Sequence, residues 1–247
     1  MITGCWMVSW KCKSSVASTK AAYAGILLLS LLVSPLWAAD SINGSIPEQF
    51  VEIEEYIPSV LQEVRYFTTD NFVGSRIDGY QAAKIYLVKE AAEALYQVQA
   101  ELSKLGLGLK IFDAYRPQRA VDHFVRWGRD LEDVKMQQLY YPRVEKGNLF
   151  REGYIAERSS HSRGATVDLT LIQLESGEEL DMGTTWDFFD KRSWPSSPEV
   201  TPEQRANRMM LQRTMVRYGF SPLREEWWHF TLDYEPFPAT HFNFVVE

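Results

Sequence analysis

The sequence predicts an α+β fold, a single domain with a central, largely antiparallel sheet flanked by helices. Two observations lead there. Helix-type and strand-type segments follow one another without the βαβ regularity of a parallel sheet. About 208 of the 247 residues remain once an N-terminal leader is set aside, enough for one domain with a proper core.

The leader is residues 1–39. Lys11, Lys13 and Lys20 precede the uncharged stretch Ala21–Ala39, which is centred on Gly25–Val33, broken at Pro35 and ended by Ala38 and Ala39. A basic segment, an apolar segment and a small-residue end make a secretory signal, with cleavage expected near Ala38 or Ala39. The alternative is a membrane anchor, because 19 residues lie at the lower edge of the ~17–25 that span a bilayer. The chain from residue 40 to 247 is then an exported domain, periplasmic or extracellular, with no stable membrane association once the leader is removed. Both cysteines, Cys5 and Cys12, fall in the leader, so this domain has neither disulfides nor a thiolate for catalysis or metal binding. Removing the three leader lysines from a formal charge of −7 leaves −10. No basic tract remains to bind nucleic acid.

Asp40–Pro47 reads as an irregular, polar entry. From Asp78, the run Gln81–Leu95 carries strong helix formers at helical spacing, so the first helix is expected to continue to Lys104 and stop before Gly106. Leu107–Phe112 reads as a strand leading into Asp113-Ala114-Tyr115-Arg116. Pro117 opens a second helix with Val121, Phe124 and Val125 on one side. Asp130–Arg158 is less regular. Gly164–Ile172 reads as a buried strand, Glu175–Glu178 as a hairpin turn and Lys191–Val200 as a loop. Thr201 and Gln204 stand at capping-box spacing for a third helix that runs to Tyr218 and ends at Gly219, with Met209, Met210 and Met215 as core filler. Trp227–Leu232 is the final strand.

The chemistry concentrates in two short segments. Ser160-His161-Ser162-Arg163-Gly164-Ala165-Thr166-Val167-Asp168 and Glu226-Trp227-Trp228-His229 supply two imidazoles and two carboxylates. Two His and one Asp suit Zn²⁺, and three protein ligands leave a fourth position for water or substrate. His161 can meet Asp168 only if the intervening loop folds back, which Gly164 allows. Glu226 and His229 would face opposite ways in a continuous strand, so a bend between them is required. Arg116, held in a turn after a strand, offers a guanidinium for an oxyanion, with a structural ion pair as the alternative. His123 and His241 carry no such context and read as structural or surface residues.

These segments, with Phe112-Asp113-Ala114-Tyr115-Arg116-Pro117, resemble those of the D-alanyl-D-alanine dipeptidases. These are zinc dipeptidases of the vancomycin-resistance type, relatives of the zinc D,D-carboxypeptidases and of the hedgehog signalling domain. The likeness runs from Tyr66 through Asp70-Asn71-Phe72 to Glu235-Pro236-Phe237-Pro238. It implies one Zn²⁺ per chain held by His161, Asp168 and His229, Glu226 as general acid/base, and Arg116 as oxyanion stabiliser. It also implies Tyr66, Ser160 and Asp187 around the amino group of a dipeptide. Thr166 stands where many relatives have Ala, and an exported leader is unlike the cytoplasmic members. The implied activity is zinc-dependent hydrolysis of D-alanyl-D-alanine in wall-peptide turnover or scavenging. The alternatives are a D,D- or L,D-carboxypeptidase acting on stem peptides and a non-catalytic zinc-binding recognition module.

Overall fold

Five strands form the central sheet of the computed structural model, which describes residues 46–247; the leader and most of the polar entry lie outside the described residues. In chain order the elements are β1 (Phe50–Glu52), α1 (Ile53–Tyr56), β2 (Leu61–Gln62), β3 (Tyr86–Val88), α2 (Lys89–Ser103), β4 (Leu107–Asp113), α3 (Gln118–Arg129), α4 (Gln137–Tyr140), β5 (Thr166–Gln173), α5 (Pro202–Arg217), β6 (Phe220–Pro222) and β7 (His229–Leu232). The sheet order is β2-β4-β5-β7-β6, and β1 and β3 pair as a separate antiparallel ribbon. Only β2–β4 is parallel. The expected α+β arrangement with a largely antiparallel sheet is the one found. Among the described residues no helix is long and apolar enough to cross a membrane.

The core follows from the strand sequences. Every β5 residue from Thr166 to Ile172 is buried, so both faces of the strand are covered: Val167, Leu169 and Leu171 lie on one face, and Thr166, Asp168 and Thr170 on the other. α2 buries Ala91, Ala92, Leu95, Val98 and Leu102 at helical spacing and packs on β4 and α5. The turn after β5 is a hairpin: Gln173 N–H donates to Glu178 O at 2.8 Å, and Ile172 pairs with Glu179. α5 starts at the capping box, with Thr201 and Gln204 each bonded to the other's backbone. Gly219, at φ +86°, follows its last turn.

Three expectations need correction. The helix anticipated from Asp78 begins only at Lys89, because Tyr86, Leu87 and Val88 form β3. All three side chains are buried, and three consecutive residues cannot share one face of a helix. Met215 is core, but Met209 and Met210 are each 39% exposed on the outer side of α5. The last strand begins at His229, so Trp227 and Trp228 belong to the turn before it.

Candidate active site

The site is a row across the sheet. Antiparallel pairing sets Asp168 of β5 opposite Asp113 of β4 on one side and opposite His229 of β7 on the other. Opposed residues point to the same face, so the three side chains converge. His161 arrives from a short helical turn, Ser160–Arg163, ended by Gly164 at φ +82°. A Cβ on Gly164 would also sit 2.4 Å from the Phe50 ring, so glycine is required there twice over. Glu226 lies in the turn before β7, the bend that puts it on the same side as His229.

The resulting distances are short. Asp168 Oδ1 is 3.3 Å from His161 Nε2 and 3.1 Å from His229 Nδ1, and the two nitrogens are 3.2 Å apart. A tetrahedral ion with ~2.0–2.1 Å bonds has ligand atoms ~3.3–3.4 Å apart, close to what these three donors present. Each donor is also held from behind. His161 Nδ1 donates to Ala114 O at 2.7 Å, which leaves Nε2 free for a ligand role. Trp186 Nε1 donates to Asp168 Oδ2 at 3.2 Å, while Oδ1 is buried with no hydrogen-bond partner. Among the described residues, these three form the one group of His, Cys, Asp and Glu able to hold a metal.

Charge points the same way. Asp113, Asp168, Asp187 and Glu226 surround a single, largely buried guanidinium, that of Arg116, whose side chain is 12% exposed. Arg116 Nε donates to Asp113 at 2.9 Å, its Nη2 lies 3.6 Å from Asp168 Oδ2, and its guanidinium stacks over Tyr66 and Phe124. It therefore has the ion pair of the structural alternative and also faces the cavity. Burial pushes the Glu226 carboxyl up to about 7, with the charge of Asp168 adding to it and that of His229 opposing. Burial and Asp168 raise Asp187 well above the usual carboxylate range. Asp168 goes the other way: despite its burial, the two imidazoles hold it far below that range. Burial lowers His161 and favours the neutral ring, whereas the Asp168 carboxylate, 3.1 Å from His229 Nδ1, lifts His229 against the same effect. Four acids crowded around one guanidinium are accommodated by raising three of their carboxyls, and a bound cation would relieve the same crowding.

The cluster opens into a cavity of about 300 Å³, at the small end for ligand sites. Tyr66, Arg116, Asp187, Glu226 and Ser160 all line it with the three donors. Tyr66 donates to Asp187 Oδ2 at 2.7 Å, so these two implied residues act as a pair. The Ser160 hydroxyl lies 3.4 Å from His229 Nε2, which places it behind a metal donor as well as in the cavity wall. His123 receives the Asp78 N–H and His241 meets Arg158, both away from the cluster. Sequence reasoning missed Asp113 and Trp186. An acid at the end of the expected strand Leu107–Phe112, directly after Ile111 and Phe112, was a visible signal for the first; nothing local marked the second.

The sequence profile of peptidase family M15, described as D-ala-D-ala dipeptidase, matches residues 47–247. This chain belongs to that family. It is a metallopeptidase by that membership. The D-alanyl-D-alanine dipeptidases of Enterococcus faecalis and Streptomyces coelicolor are each 42% identical to it over 197 residues, 80% of this chain and 98% of theirs. That of Escherichia coli K12 is 35% identical over 184 residues, 74% of this chain and 84% of its own.

Proposed function

We propose that this metallopeptidase hydrolyses D-alanyl-D-alanine to two D-alanine, with Zn²⁺ held by His161, Asp168 and His229. The observation that carries the proposal is a three-donor cluster with an open side, set in a small cavity with the Glu226 carboxyl 3.6 Å from His229 Nδ1. A bound Zn²⁺ would supply Lewis acidity toward a water and the scissile carbonyl. Glu226 takes the proton of the attacking water and returns it to the leaving amine, for which a carboxyl near neutrality is well matched. Arg116 offers its guanidinium to the oxyanion that develops. Asp187, oriented by Tyr66, receives the substrate's ammonium, and Ser160 steadies His229.

The small cavity and the paired acid suit a substrate with a free amino group one residue from the scissile bond. Export rests on the leader: a basic segment, Ala21–Ala39 and its small-residue end. An exported enzyme meets dipeptide released from the wall, which favours turnover or scavenging.

The test is product analysis on D-alanyl-D-alanine and on a stem pentapeptide, with and without chelator. Chelator-sensitive cleavage of the dipeptide alone is expected. Cleavage of the pentapeptide would select a carboxypeptidase, and cleavage of neither a recognition module. Glu226→Ala is expected to lower kcat by about 10²–10⁴-fold while zinc content stays at the wild-type level. Near-normal turnover would remove the proposed base.

A further inference from the structure

Arg208 has a buried guanidinium with no carboxylate beside it. The residue is 2% exposed, and its charge is spent on backbone carbonyls. Nε donates to Met182 O at 2.6 Å, and Nη1 donates to Arg192 O and Trp194 O at 2.9 Å each. Met182 opens the segment 182–194, and Arg192 and Trp194 close it. One side chain of α5 thus ties both ends of a surface loop, the geometry of an Ω-loop cinched at its neck.

The rest of the neck is built to match. Thr184 Oγ1 meets Ser193 Oγ at 3.0 Å across it. Asn207 and Gln204, on the same helix as Arg208, hold Asp181 just outside it. Within the loop sit two groups of the site: Trp186, which donates to the metal-binding Asp168, and Asp187, which accepts from Tyr66. Asp187 also stands at φ +55°, the one non-glycine residue at positive φ among the described residues. Such a conformation persists only where the surroundings hold it. The neck reaches the catalytic turn too. Trp227 N–H donates to Ser193 O at 3.0 Å and Trp227 Nε1 to Thr184 Oγ1 at 2.9 Å, next to Glu226.

We infer that Arg208 is a positioning residue for the reaction: by closing the neck of the 182–194 loop it sets Trp186 against Asp168 and holds Asp187 in the orientation that receives the substrate's ammonium. The kinetic part rests on the proposed dipeptidase activity, whereas the effect on metal binding does not. Lysine can reach fewer of the three carbonyls at once because it lacks the planar fork. A methionine fills similar space and satisfies none.

The experiment compares wild type with Arg208→Met and Arg208→Lys, all in the full chain and well below their Tm. Zinc affinity is read by competition with a chelator. Kinetics are read on D-alanyl-D-alanine and its N-acetyl form. For Arg208→Met the expectation is a tenfold or greater rise in KM for the free dipeptide, a smaller fall in kcat and reduced preference over the N-acetyl form. Zinc affinity should fall by about tenfold, as when other outer partners of a metal ligand are removed. Arg208→Lys should recover part of each change. A lower Tm with KM, preference and zinc affinity all unchanged would overturn the inference and leave Arg208 a structural residue. If Arg208→Met does not fold, Thr184→Val weakens the same neck with little change of volume. A several-fold rise in KM and a weaker zinc site are expected there, and wild-type values for both would overturn the inference. Absence of dipeptide cleavage in the wild type would sink the proposed activity, and the zinc titrations would still decide the role of the clasp.

Discussion

Two of the three proposed metal donors and the acid proposed to face the substrate sit on opposite kinds of scaffold. Asp168 and His229 are on paired strands of the central sheet, fixed by backbone hydrogen bonds on both sides. Asp187 is on a loop, fixed by side chains that reach in from α5, from Tyr66 and from the Trp227 turn. Geometry at the sheet comes with the fold; geometry at the loop has to be supplied residue by residue. Chemistry common to many hydrolases can rest on the first, and selection of a particular substrate on the second.

The largest effect should come from breaking the sheet side. Asp168→Ala or His229→Ala is expected to abolish zinc binding and turnover together, read by metal analysis of the purified protein. A variant that keeps stoichiometric zinc would move the site elsewhere. The loop side should break more gently. Tyr66→Phe removes the hydrogen bond to Asp187 and leaves the metal donors alone. The expected result is about a tenfold rise in KM, from a bond worth ~1–1.5 kcal/mol, with unchanged zinc content. A fall in zinc affinity would show that the Tyr66–Asp187 bond, and not only the Trp186–Asp168 bond, supports the metal donors.

A third prediction concerns stability at the base of the loop. Asp190 is buried and accepts from Arg143, from the Arg192 side chain and from the Arg192 N–H. Against the cost of burial, these donors hold its carboxyl below the ordinary value. A carboxyl lowered in the folded state adds stability above its unfolded pKa of ~3.9, and that stability is lost as pH falls through the folded value. Arg143 is half exposed, so solvent screening limits the pair to ~1 kcal/mol. Asp190→Asn should therefore unfold more readily than wild type in urea at pH 7, and the difference should shrink as the pH falls below ~3.9. A gap that widens in acid would reverse the assignment. The smallest effect belongs to the outer face of α5, where Met210→Gln should change stability by less than ~0.5 kcal/mol. A larger loss would mean that this half-exposed methionine packs against something.

Legibility in the sequence divided along the same line. The sheet side was readable because its signals are local: a glycine between His161 and Asp168, and a three-residue step from Glu226 to His229 that a straight strand could not satisfy. The caps of α5 were readable for the same reason. Tyr86–Val88 was not, since helix formers on both sides masked a three-residue strand whose identity depends on pairing with Phe50–Glu52. Asp113 and Trp186 escaped because their roles are long-range: one lies beside Asp168 only through strand pairing, the other donates across 18 residues. Met209 and Met210 were misplaced because methionine content does not say which face of a helix is covered.

The row Asp113–Asp168–His229 has one more implication. Sliding β7 by a single residue along β5 would turn His229 to the far side of the sheet and carry it away from Asp168. An ion that needs both therefore recognises only the correctly aligned strands, and by binding them it raises their population over any misaligned form. A metal ion bound by both residues would then favour correct assembly of the sheet as well as serve the proposed hydrolysis.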